Sequence, residues 1–202
     1  MFLHGQDPFY GRRNVQYAIV SCSHNPQSRS RNLATHAWER MKKGGFSVEV
    51  LDLASYSLPF CDGATSEEDP VVLRLQERLW EVDGFLIAAP IYNYDVNAAC
   101  KNFIEVTGRK VWTDKVVAFV AAAGGQASYM SAMGLLGSLM LDFRTYIVPR
   151  FVYAIETDFD EQGVLMSDDV RTRVERMVDE LTSVTPVLRQ VLVDGRGRSR
   201  FD

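Results

Sequence analysis

The strongest constraint on this chain is a set of apolar runs that have no polar face. Gly84-Phe85-Leu86-Ile87-Ala88-Ala89 and Val116-Val117-Ala118-Phe119-Val120 carry no polar side chain at any position. Residues 15–20 are nearly as apolar. A strand that alternates needs cover on one side, whereas a continuously apolar strand needs it on both. Helical patterns lie between these runs. Residues 30–43 read as a helix stopped by Gly44-Gly45. Asp69-Pro70 supplies an N-cap and a first turn, after which Val72, Leu75, Leu79 and Trp80 recur at helical spacing. Residues 98–108, 128–141 and 168–193 give further helices, with Pro186 as an early stop in the last. Residues 46–51 alternate like a strand near a sheet edge, and 146–154 hold a fifth strand that Pro149 interrupts.

Buried strands alternating with helices imply an α/β fold, a parallel sheet between two helical layers. Right-handed crossovers leave few topologies. Five strands favour a flavodoxin-like three-layer α/β/α arrangement with a five-stranded parallel sheet in the order 2-1-3-4-5. Ligands of such sheets sit at the carboxyl ends of the first and third strands. A chain of 202 residues suits one such domain. We place it at 15–193, between an N-terminal arm at 1–14 that packs on a partner subunit and a flexible C-terminal tail at 194–202.

A net charge of −4 gives no reason to expect a nucleic-acid partner, and the Arg-rich end at 195–200 reads as a frayed terminus. The apolar-rich stretch at 84–99 is broken by Pro90, Asn93 and Asp95, and no membrane partner is expected. Cys22, Cys61 and Cys100 show no metal-ligand spacing, and no metal site is expected. Their odd number fits a cytoplasmic location better than a disulfide framework.

Unusual turns follow the first, third and fourth strands. Ser21-Cys22-Ser23-His24-Asn25-Pro26-Gln27-Ser28-Arg29-Ser30 opens a helix. A helix N-terminus exposes unpaired N–H groups and attracts phosphate. Ser23, Ser28 and Ser30 add hydroxyls, Asn25 an amide and Arg29 a charge. The dinucleotide and Walker glycine patterns are both missing here. Pro90-Ile91-Tyr92-Asn93 after the third strand combines a rigid turn with an aromatic face suited to a flat heterocycle. Ala123-Gly124-Gly125 after the fourth lets backbone approach a ligand closely. Each turn alone also reads as ordinary loop chemistry. Together, at neighbouring strand ends, they point to a flavin mononucleotide site.

On these residues the chain resembles the NADPH-dependent FMN reductases, flavodoxin-like flavoproteins that act as flavin, quinone, azo-dye and chromate reductases. The first loop of that family is matched by Ser23 and Ser28 at its spacing, with Cys22 where Gly is usual and Asn25 where Arg often stands. The second is matched by Pro90, Tyr92, Asn93, Lys101 and Asn102, and the third by Gly124-Gly125. The resemblance implies bound FMN, NADPH or NADH as co-substrate, a small-molecule electron acceptor, and a homodimer or homotetramer. Ser23, Asn25, Ser28, Arg29 and Ser30 would then hold the phosphate. Pro90, Ile91, Tyr92, Asn93, Ala123, Gly124 and Gly125 would hold the ring. No catalytic acid or base is assigned, because hydride transfer to the flavin needs none. The alternatives are a flavodoxin-type electron carrier and a non-catalytic flavin-binding sensor.

Overall fold

The computed structural model describes residues 14–191. The expected tail, and all of the expected arm but Asn14, lie outside the described residues. In chain order the elements are β1 (Gln16–Ser21), α1 (Arg29–Lys43), β2 (Ser47–Asp52), α2 (Pro70–Trp80), β3 (Gly84–Tyr92), β4 (Asp95–Val96), α3 (Ala98–Trp112), β5 (Val116–Ala122), α4 (Met133–Phe143), β6 (Tyr146–Ile147), β7 (Val152–Ala154) and α5 (Asp168–Arg189).

The main sheet is parallel and runs β2-β1-β3-β5, with β6 and β7 both paired to the far side of β5. The expected flavodoxin-like order therefore holds. The count is seven strands rather than five, for two local reasons. The fifth strand is split around Pro149, which has no N–H to give a ladder. Secondly, β3 runs three residues past the expected 84–89 and folds back through Asn93 and Tyr94 into the antiparallel β4.

The apolar runs are explained by the two layers. Along β1, Ile19 packs towards α1 and α5 with Leu33, Met41, Val174 and Met177, while Val20 packs towards α2, α3 and α4. β3 and β5 do the same, with Leu86 and Val120 on the first side and Phe85 and Phe119 on the second. Trp112 anchors the second layer against Phe85 and Phe103 at 4.7 and 5.8 Å between ring centroids. Its indole N–H donates to Thr107 Oγ1 at 2.8 Å, so this buried polar atom is satisfied.

Three helix boundaries differ from the sequence reading. α4 begins at Met133 rather than near Ser128, because Ser128 lies in a short 3₁₀ turn, Gln126–Ser128, and its carbonyl accepts from Ser131. α5 continues through Pro186. Proline there leaves the Thr182 carbonyl without its helical donor, and the Tyr17 hydroxyl, 3.3 Å away, donates to it instead. Finally, α3 is broken at Gly108, whose φ of 58° and ψ of −163° are open only to glycine, and one further turn follows to Trp112.

Candidate functional site

A cavity of about 340 Å³ opens at the carboxyl ends of β1, β3 and β5. Ten of the twelve residues nominated from the sequence line it: Ser23, Asn25, Ser28, Arg29, Ser30, Pro90, Ile91, Tyr92, Ala123 and Gly124. Asn93 and Gly125 do not. Asn93 is at the tip of the β3–β4 turn, and the Gly125 carbonyl is turned away to accept from the Tyr153 hydroxyl at 2.6 Å.

The loop after β1 is built to present donors. Ser28 caps α1 by accepting the Arg31 N–H at 3.2 Å. The first bond running along the helix is from Asn32 N–H to Ser28 O, which leaves the N–H groups of Arg29 and Ser30 without an acceptor in the helix. Ser28 and Ser30 hydroxyls share a hydrogen bond at 3.0 Å. Ser23 Oγ accepts the Asn25 N–H at 3.2 Å, and Asn25 Oδ1 accepts the Gln27 N–H at 2.9 Å. Asn25 therefore shapes the turn with its oxygen.

Arg31, which the sequence reading passed over, ties this loop together. Its guanidinium donates to the carbonyls of Ser23 at 2.9 Å and Asn25 at 2.7 Å, and pairs with both carboxylate oxygens of Asp52 at the end of β2. Asn97, at the start of α3, adds a second tie. Its Nδ2 donates to the Cys22 carbonyl at 2.8 Å, and its own N–H donates to Pro90 O. The loops after β1 and β3 are thus held against each other. Cys22 is wholly buried, and burial beside Cys100 pushes its thiol well above the usual range, so it packs rather than reacts.

On β3, Pro90 lies past the last residue paired with β1. Asn93 and Tyr94 have φ of 51° and 64°, the left-handed pair that a two-residue hairpin turn requires. Tyr92, which lines the cavity, and Tyr94 beside it on the turn are both more than half exposed. On the opposite side, a Cβ added at Gly124 would meet no protein atom within 4 Å. The space above this backbone is open.

The remaining wall was not anticipated. It is the turn Asp160-Glu161-Gln162-Gly163. Asp160 Oδ1 accepts the N–H groups of Gln162 and Val164 at 3.0 and 2.8 Å, and the buried Phe159 and Leu165 bridge its base. A side chain added at Gly163, whose φ is 79°, would come only within ordinary contact of Asn32 Nδ2 and Gln27 O, at 3.9 and 4.0 Å. From the same segment, Glu156 pairs with Arg29 at 2.5 Å. Arg29 is therefore engaged by a carboxylate, not a free cation as its position in the sequence suggested.

This donor set fits a flavin monophosphate. Helix N–H groups and three serines can take a phosphate, and the backbone of Pro90–Tyr92 and Ala122–Gly124 flanks a slot for a planar ring. Among the described residues there is no cluster of side chains that could hold a metal ion.

Comparison with known proteins agrees. The family model for NADPH-dependent FMN reductase matches residues 15–160. The chain is 30% identical over 173 residues to an NAD(P)H:quinone oxidoreductase of Solanum tuberosum, covering 80% of this chain and 88% of that one. It is 29% identical over 135 residues to an NAD(P)H-dependent FAD/FMN reductase of Geobacillus thermodenitrificans, covering 66% and 73%. A solved NADH:FMN oxidoreductase in its apo form superposes with a TM-score of 0.70 at 15% identity, over 85% of this chain and 90% of that one. At that identity the superposition speaks for the fold.

Proposed function

The chain belongs to the NADPH-dependent FMN reductase family, and from that premise we propose that it passes electrons from NAD(P)H through bound FMN to a quinone, a flavin or a similar small acceptor. The observation that carries this reading is the meeting of three strand-end loops on one cavity, with unpaired helix N–H groups on one side and an open backbone slot on the other.

When bound, FMN supplies the ring that takes up and gives away the hydride. The protein's part is to place it. Ser23, Ser28 and Ser30, with the N–H groups of Arg29 and Ser30, hold the phosphate. Pro90, Ile91 and Tyr92, with Ala123 and Gly124, flank the ring and keep water from its edges. Tyr92 and Tyr94 stand at the open rim, where a nicotinamide and then an acceptor can stack. No separate dinucleotide fingerprint exists, so both substrates use this one face in turn. We place the enzyme in the cytoplasm as a homodimer or homotetramer. Among the described residues, no helix is long and apolar enough to cross a membrane.

Anaerobic mixing of the FMN-loaded protein with NADPH or NADH tests this. The oxidised flavin absorbance should bleach within seconds and return on adding a quinone. A flavin that neither nicotinamide reduces would refute the enzyme and favour an electron carrier or sensor.

A further inference from the structure

We propose that a second, smaller cavity, between the N-terminal half of α1 and the carboxyl end of β2, is a binding site for a neutral single-ring phenol. It shares no lining residue with the cavity described above.

The cavity follows from two periodicities. Arg31, Ala34, Thr35 and Trp38 recur at helical spacing and so share one side of α1. Val50 and Asp52 alternate along β2 onto the face beneath, and β1 adds Ser21, which pairs in register with Asp52. The enclosed space is about 180 Å³. An apolar cavity of about 150 Å³ is enough to hold a benzene ring. Ala34, Val50 and Trp38 supply apolar walls, and Trp38 and Val50 are surfaces that the fold itself leaves partly exposed.

The polar groups say what the ring should carry. Ser21 is 1% exposed, and its hydroxyl has no hydrogen-bond partner among the described residues. It stands on the same side of β1 as Ile19, which packs towards α1. A buried hydroxyl left unpaired costs stability, and a ligand that pairs with it recovers that cost. A phenol hydroxyl can donate or accept, so it can meet Ser21 in either sense. Charge is excluded by the Arg31–Asp52 pair. Every N–H of the guanidinium is already engaged, by Asp52 and by the carbonyls of Ser23, Asn25 and Pro26. An anionic ring would shed its hydration and find no free cationic donor in return.

The test is calorimetric titration of the full chain with phenol, toluene and benzoate, with FMN at saturation so that the first cavity is filled. The wild type is compared with Ser21→Ala and Val50→Phe. Phenol should bind the wild type about tenfold more tightly than toluene, the worth of one good hydrogen bond, and benzoate should give no binding heat. Ser21→Ala should bring phenol down to the level of toluene and leave toluene unchanged. It should also melt at or above the wild-type temperature, because it removes an unpaired buried hydroxyl. Val50→Phe, which puts a ring of the protein's own into the space, should abolish both ligands. Absent phenol binding, phenol and toluene binding alike, or phenol binding that survives both variants would overturn the proposal. So would a Ser21→Ala protein that melts well below the wild type, since the fold would then be using that hydroxyl. A chain that takes no FMN refutes the flavin reading alone, and the same titrations still decide this one.

Discussion

Replacing Arg31 offers the sharpest test of how the phosphate loop is made. Its guanidinium joins the Ser23 and Asn25 carbonyls to β2, through Asp52. Hydrogen bonds to a charged group contribute about 1.5–3 kcal/mol each. The side chains of the Arg31–Asp52 pair are 27% and 32% exposed, so solvent weakens them and the lower end applies. The bonds to the Ser23 and Asn25 carbonyls, the shorter of those it makes to the loop, then amount to about 3 kcal/mol of loop order. In Arg31→Ala, FMN has to supply that order on binding, which weakens it by ~100-fold. Riboflavin has the ring but no phosphate, and should lose less than about threefold, or ~0.6 kcal/mol. Arg31→Lys keeps the charge but cannot span both carbonyls and the carboxylate, so it should fall between the two. Fluorescence titration of each variant with each flavin gives the ratios. The melting temperature of Arg31→Ala should also fall by roughly 6–12 °C, at about 2–4 °C per kcal/mol for a chain of this size. If FMN and riboflavin weaken by the same factor, or if Tm falls while FMN binding does not change, Arg31 supports the fold generally and the reasoning fails.

Three further outcomes follow from named contacts. Glu156→Gln should release Arg29 towards the phosphate and tighten FMN by up to about fivefold, the upper worth of an exposed pair, with riboflavin unaffected; weaker FMN binding in that titration would show that Glu156 positions Arg29 rather than competing for it. Gly108→Ala places a side chain at a backbone conformation closed to it, so urea unfolding should report a loss of about 1–3 kcal/mol with an unchanged m-value; wild-type stability would mean that α3 relaxes at its break. Burial pushes the Tyr17 hydroxyl up to about 12. Its contribution is intact below the ordinary tyrosine range near 10 and is lost as pH rises from there through the folded value. Thermal melts should therefore show Tm falling above that ordinary range, with a shallower slope in Tyr17→Phe; parallel slopes would remove Tyr17 as the cause.

Much of the fold was written locally. β3 and β5 are buried on both faces, and that condition leaves its mark residue by residue. The loop after β1 that opens α1 was legible for a similar reason. Its Ser23, Ser28 and Ser30 are close in sequence, and a helix N-terminus announces itself through the residues that cap it. Arg31 escaped notice although it is one residue further on. Its role depends on Asp52, which reaches it only because β1 and β2 pair in register, Ser21 opposite Asp52. The wall at 160–163 is a turn, and nothing in a turn's composition says which surface it will fold across. Arg29 shows the same gap from the other side: its charge was visible, while the Glu156 that engages it comes from a segment after β7. The helix through Pro186 depended on a tyrosine hydroxyl from β1, which no local rule for proline can include.

The split of the last strand has a consequence beyond topology. The outermost strand of an open sheet offers unpaired backbone to any neighbouring chain, and a long flat margin invites aggregation. Here that margin consists of pieces of two and three residues, with Pro149 and Arg150 between them. Neither piece is long enough to template an incoming strand, and proline and a charge break the continuity that fibril growth needs. β2, six residues long and unbroken, has no such interruption. When this protein is partly unfolded or crowded, the β2 side is where strand-to-strand sticking should begin, and the side that carries the interrupted strand should stay clean.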